Sequence, residues 1–388
     1  MADKAIITPS VIQWARNLDS IPIEESAKCA SVNEEQILAW ESGSDLPTIR
    51  QAKLLANKYR VPYVYFFLPD IPKKIKRVDF IDFRTFHNKF EQKTFSRNML
   101  WLLRDIYDRR EVMLDMYEKQ NKKPNVFSPN IINRNATMIA QEIRSFLGID
   151  YEKQRSFRKA EIAYNYYVSA LEKKDVLVFQ TKKIDRNEMR GLSVFYSLFP
   201  IIVLNRTDEP AARLFSLAHE LAHLFLRTSG LCNDFESDVY EDRNEIELFC
   251  NQIAAMALVP LDIIKSHPIY QEIAEFGYQD TLVQTIARDF AVSREVILGR
   301  LLTCDQISRD FYFKTLARFT EEYLEYKKNN KKDGFVPPAI DNGSQVGKLY
   351  SRTILTSLGR DIISPIDASH YLLNLSTNHF RALEGWCF

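Results

Sequence analysis

Residues Arg213-Leu-Phe-Ser-Leu-Ala-His-Glu-Leu-Ala-His-Leu-Phe-Leu-Arg227 decide the reading of this chain, because His219-Glu220-Leu221-Ala222-His223 spells H-E-x-x-H inside an apolar run. On an α-helix, positions i and i+4 lie one turn apart on the same face, so both imidazoles can reach one metal ion with Glu220 beside them. A catalytic zinc takes three protein ligands and keeps a fourth position for water, whose proton a neighbouring carboxylate can accept. The pattern therefore suits a zinc hydrolase with His219 and His223 as ligands and Glu220 as general base. Leu214, Leu217, Ala218, Leu221, Ala222, Leu224 and Phe225 make nearly every side of this helix apolar. Unpaired His and Glu side chains there would carry a desolvation cost of about 1–3 kcal/mol each, which a metal relieves.

Two histidines leave one ligand to find, and the next helical stretch offers it: Glu245-Ile-Glu247-Leu-Phe-Cys-Asn251-Gln-Ile-Ala-Ala-Met-Ala-Leu-Val-Pro260. Glu247 heads its apolar part and forms a polar pair with Asn251 at i+4, while Leu248, Ile253, Ala254 and Ala257 read as core. Ala254 and Ala255 would let the two helices approach closely. Glu247 ranks first and Glu245 second, since residues two apart on a helix point about 160° away from each other.

Residues 213–260 resemble the core of the ImmA/IrrE metallopeptidases, whose pattern runs R-x-F-T-L-A-H-E-L-G-H and then E-x-x-A-N-x-F-A-A-x-L-L-M-P. The chain departs from it at Ser216, Ala222, Cys250, Ile253, Ala257 and Val259, mostly by apolar swaps. The resemblance implies Zn2+ held by His219, His223 and Glu247, with Glu220 as catalytic base, in a gluzincin-like peptidase domain with a small sheet. The stretch Pro200-Ile-Ile-Val-Leu-Asn205 matches the family's P-x-I-x-x-N strand. By the same resemblance it would flank the cleft with an exposed edge able to pair with an extended substrate chain. Asn205 and Asn251 are then expected to contact substrate.

Around this core, 388 residues exceed a usual single core, and 46% hydrophobic residues are enough for several. The expected fold class is mainly α (α+β), in four segments: 1–72, a five-helix domain; 73–130, a helical connector; 131–304, the peptidase domain; and 305–388, a compact helical module. Strands are expected at 175–180, 191–197 and 200–205, with helices at 134–147 and 159–171. Met1-Ala-Asp-Lys lacks a signal pattern and no run is long enough to span a membrane, so a cytoplasmic protein without a membrane partner is expected. Cys29, Cys232, Cys250, Cys304 and Cys387 are scattered and lack C-x-x-C spacing, so they read as reduced thiols.

In the N-terminal segment, Thr8-Pro9 reads as a cap and first helical residue, and Asn33 with Gln36 as a capping-box-like start. Gly43 reads as a stop, and Thr48 as the next start. Helices at about Ile23 to Ala30 and Glu34 to Ser42 would form a helix-turn-helix, with Trp40 and Tyr59 in its core. Thr8-Pro-Ser-Val-Ile-Gln-Trp-Ala-Arg16, Trp40-Glu-Ser-Gly43, Leu46-Pro47 and Phe66-Phe-Leu-Pro69 resemble the repressor-type (XRE-like) helix-turn-helix often fused ahead of ImmA/IrrE peptidases. The start of the recognition helix offers Glu34, Glu35 and Gln36, and the carboxylates oppose phosphate approach. Gln36 is the candidate DNA contact. Protein recognition or dimerisation, giving a possible homodimer, is the other use of such a domain.

Net charge is +1, yet residues 73–110 carry eleven Lys/Arg against five Asp/Glu, beginning Lys73-Lys-Ile-Lys-Arg77, which reads as a solvated linker and helix face. His87 reads as a surface or capping residue. Ile286 to Leu302 reads as a turn-linked helix pair for support, although Arg288, Arg294 and Arg300 leave DNA open. Lys327 to Gly334 reads as a solvated hinge. Asp367 is the expected cap of a tail helix, and His370 and His379 read as structural. Three functions are compatible: a zinc endopeptidase that cleaves a protein partner such as a repressor or antitoxin; a helix-turn-helix transcriptional regulator or antitoxin; or a toxin-antitoxin or phage-defence protein that holds its partner.

Overall fold

The computed structural model describes residues 3–19, 21–72, 96–129, 135–227, 243–329 and 335–388. The basic stretch 73–77, His87, Cys232 and the 330–334 part of the expected hinge lie outside them. The chain forms two compact units, 1–104 and 105–388, where four segments were expected. It is mostly helical, and among the described residues no helix is long and apolar enough to cross a membrane.

The first unit contains α1 (Pro9–Leu18), α2 (Ile23–Ala30), α3 (Glu34–Ser42), α4 (Ile49–Tyr59) and a 3-10 turn at Tyr63–Phe67 in place of a fifth α-helix. Its boundaries follow local chemistry. The Asn33 side chain accepts the Gln36 amide, Gly43 takes the left-handed turn that ends α3, and Thr48 with Gln51 makes a complete capping box. Two expected details change. The Thr8 hydroxyl donates to the Leu68 carbonyl instead of capping α1, and the Gln36 amide donates to Asp45, so Asn33 caps alone. Val11, Ile12, Ile37, Trp40, Leu55, Tyr59 and Phe66 form the core, and a two-pronged Arg16–Glu41 pair at 2.6 and 2.9 Å ties α1 to α3. The first turns of α5 (Arg97–Lys119) join this unit: Arg97 pairs with Glu25, the Trp101 indole donates to Asp19, and Arg60 lies over the Trp101 ring.

The second unit follows with α6 (Ala136–Leu147), α7 (Tyr151–Ser156), α8 (Ala160–Glu172), β1 (Leu177–Thr181), β2 (Gly191–Val194), β3 (Ile201–Asn205), α9 (Pro210–Leu226) and α10 (Arg243–Leu258). The strands lie in the order β1-β3-β2, with β1 parallel and β2 antiparallel to β3. β3 is apolar from Ile201 to Leu204 and buried at every position, as a strand with neighbours on both sides must be. This corrects the expectation of an exposed edge at 200–205: β3 is central, and β2 is the edge on that side of the sheet.

The remaining helices are α11 (Leu261–Lys265), α12 (Pro268–Phe276), α13 (Asp280–Phe290), α14 (Arg294–Thr303), α15 (Arg309–Asn329), α16 (Pro338–Val346), α17 (Lys348–Gly359), α18 (Pro365–Tyr371) and α19 (Phe380–Cys387). Side chains from α6, α7 and α14 finish α10. Arg144 takes the Ala257 carbonyl at 2.8 Å, Gln154 the Leu258 carbonyl at 2.6 Å and Arg300 the Val259 carbonyl at 3.0 Å. These donors satisfy orphan C-terminal acceptors, and the two guanidiniums oppose the negative end of the helix dipole. Arg300 is buried in this role and is not a surface contact for DNA. Ser364 caps α18, and Asp367 is its reciprocal partner three residues on, which corrects the assignment of Asp367 as the cap.

The tail is built onto the sheet. Gly347, at φ 79°, lies so close to the outer side of β1 that a Cβ would sit 2.5 Å from the Val178 carbonyl oxygen. The Leu349 amide donates to buried Glu172, Tyr350 stands edge-on to Phe179, and Asp341 pairs with Arg206 and Lys182. The segment 305–388 is therefore part of the second unit.

Candidate metal centre

α9 begins at Pro210, whose missing N–H costs nothing in a first turn, and ends with Arg227 in the left-handed region. Eight of its residues are buried against the sheet and α10, Glu220 among them. The histidines lie on the flank that faces α10. His219 Nε2 and His223 Nε2 are 3.0 Å apart; His219 Nε2 is 3.1 Å from Glu247 Oε2, and His223 Nε2 is 3.4 Å from Glu247 Oε1. Four ligands placed tetrahedrally at zinc–nitrogen and zinc–oxygen distances would stand about 3.3 Å from one another. The His219–His223 spacing and the 3.1 Å from His219 to Glu247 Oε2 lie near that edge, while the other Glu247 oxygen turns to His223; two imidazoles with one carboxylate form a donor set suited to Zn2+.

His219 and His223 are largely shielded, while half of the Glu247 side chain is exposed. Burial works against charge on His219, but Glu247 and Glu220 outweigh it and raise its pKa. Burial works against the Glu247 carboxylate as well, yet its bonds to His219 and His223 hold it well below the ordinary carboxylate range. Asn251 adds a side-chain interaction to His219, so the i+4 pair with Glu247 faces the centre. Glu245 is exposed and outside the convergent group.

Glu220 is buried, and desolvation raises its pKa despite the histidines and a bond from the Ser193 hydroxyl. Its carboxylate lies against Gly191 at the start of β2. Neither Gly191 nor Ser193 was singled out from the sequence. The available signal was a glycine opening a short strand, where a close approach is a common reason for lacking a side chain.

Two expectations at this site are corrected. Asn205 is fully buried and its amide is fully engaged: it donates to the carbonyls of Ile184 and Met189 and accepts from the Thr207 amide and hydroxyl. With two donors and two lone pairs used, nothing remains for a substrate, and Asn205 braces the loops at the end of β3. Leu248 is 68% exposed and not core, because α10 turns that face outward beside Glu247. Ile253, Ala254 and Ala257 are buried as expected, and Cys250 joins them with its thiol pKa pushed up by burial. The described cysteines are all free thiols.

The helix pair brings together a His-His-Glu group that could hold a metal ion, with a buried carboxylate beside it. Residues 171–302 match the peptidase family model described as the IrrE N-terminal-like domain, and this supports a metallopeptidase of the IrrE/ImmA type. No curated protein matches the chain. A divalent ion at the cluster would supply Lewis-acid polarisation of a carbonyl and an activated water. The chain itself offers three residues on two helices that could hold such an ion and, in Glu220, a shielded carboxylate on the same helix as two of them.

Proposed function

We propose that this protein is a zinc-dependent endopeptidase that regulates by cleaving a protein partner, such as a repressor or antitoxin. The observation that carries the reading is Glu220. A site that only stored metal would need His219, His223 and Glu247, whereas a buried carboxylate between the two histidines has its use as a general base. Co-expression with candidate partners, followed by mass spectrometry of their termini, tests it: a new terminus should appear with the parent and be absent with Glu220→Gln. Intact partners with both would reject the reading.

A second reading, a helix-turn-helix regulator or antitoxin that binds protein or DNA, draws support from the α2–α3 pair. The exposed side of α3 carries Glu34, Glu35 and the half-exposed Leu38, and the Gln36 amide is engaged by Asp45. That surface favours protein over phosphate, so the first unit is proposed to dock the substrate or a second copy of the chain.

A further inference from the structure

Gly191 stands in a strand without needing glycine's backbone. Its φ lies outside the positive region, in contrast to Gly347, and it pairs in register with Leu204 on β3. A glycine in such a place forgoes side-chain packing and weakens the strand, so its reason must lie in space. A Cβ built there would sit 2.5 Å from Glu220 Oε1, 2.9 Å from Cγ and 3.0 Å from Cδ. Two residues on, on the same face of β2, the Ser193 hydroxyl bonds the same carboxylate, and Ser193 is itself buried.

We propose that Gly191 and Ser193 are positioning residues for Glu220: the first leaves the slot the carboxylate occupies and the second fixes its rotation. This inference rests on the peptidase reading. Glu220 has three rotatable bonds, so the position of its carboxylate depends on what surrounds it. Without the slot, the carboxylate would have to swing away from the edge strand, changing its distance from the ligand histidines on its own helix. The fold would survive such a change, because the atoms that move all belong to a side chain and none to the backbone.

The test has two parts. In a double-mutant cycle, Gly191→Ala should lower the melting temperature of the parent by several degrees and change that of Glu220→Ala little, because the atoms the Cβ meets are then gone. Equal shifts in both backgrounds would overturn the contact. The second part uses a peptide hydroxamate, a metal chelator whose hydroxyl also needs a carboxylate partner. With zinc content unchanged, Gly191→Ala and Ser193→Ala should weaken its binding at least tenfold, and Ser193→Thr, which keeps the hydroxyl, should lie nearer the parent. Parent-like hydroxamate affinity in zinc-loaded Gly191→Ala would overturn the positioning role. A parent that binds neither zinc nor hydroxamate would sink the peptidase reading, and base positioning with it, while the cycle would still report the contact.

Discussion

Glu247 reaches both imidazoles of a helix that ends twenty-one residues before it: its Oε2 lies 3.1 Å from His219 Nε2 and its Oε1 3.4 Å from His223 Nε2. A carboxylate with one oxygen toward each nitrogen completes a three-residue group, which α9 alone cannot make. Replacing Glu247 by Gln should therefore weaken zinc binding by about tenfold or more, in the range seen when a metal site loses part of its support. Glu245→Gln should leave it unchanged. Metal analysis of protein purified without added ions, with one zinc per chain expected for the parent, checks both; the opposite ranking would move the ligand two positions upstream.

Glu220→Gln keeps the volume of the side chain and leaves His219, His223 and Glu247 in place. Zinc content and melting temperature should stay near those of the parent, while cleavage of a true partner falls by about 10²–10⁴-fold, the usual worth of a positioned base. Parent-like cleavage by the variant would remove Glu220 from the chemistry.

Asn205→Ala should act on stability rather than on partner recognition. It would strip hydrogen bonds from the buried carbonyls of Ile184 and Met189 and from Thr207, at about 1–3 kcal/mol for each group left unsatisfied. Thermal unfolding and zinc content measured together separate the two roles: a large loss of stability with zinc retained is expected.

Acid should loosen the first unit in a defined window. Arg97 and Lys58 hold the Glu25 carboxyl down to about 2 from an ordinary 4.5. A carboxylate depressed in the folded state stabilises above its unfolded value, and that contribution disappears as pH falls from about 4.5 to about 2. Because Glu25 is partly exposed, solvent screening limits the effect to about 1 kcal/mol or less. Trp14, Trp40 and Trp101 lie in this unit and Trp386 in the other, so tryptophan fluorescence follows the first unit mainly. Glu25→Gln should flatten the pH dependence of its denaturant midpoint across that window.

Duplex DNA should bind the chain only weakly and with strong salt dependence, because Glu34 and Glu35 occupy the start of α3. A sequence-specific footprint at physiological salt, lost in Gln36→Ala, would promote the DNA-binding reading over docking.

The convergence of His219 with His223 and the two ends of α3 were legible because each rests on short-range chemistry: an i,i+4 pair, an Asn cap, a Gly stop. What escaped depends on partners distant in sequence. Nothing in Ile201–Asn205 says which neighbours it acquires, so its central place was hidden, and the saturation of Asn205 by Ile184 and Met189 with it. Leu248 carried the residue type of a core position but lies on the outward face of α10. Gly191 was silent because its meaning is the volume of Glu220, a side chain on another element.

Gly347, pressed onto the Val178 carbonyl, closes the outer side of β1 to any further strand. A bare strand margin is a template on which copies of a chain can polymerise. Sealing one margin with the protein's own tail turns a potential ribbon into a dead end on that side. Loss of residues 338–388 would then be felt first as clumping at high concentration, with the ligand cluster on α9 and α10 still present in each copy.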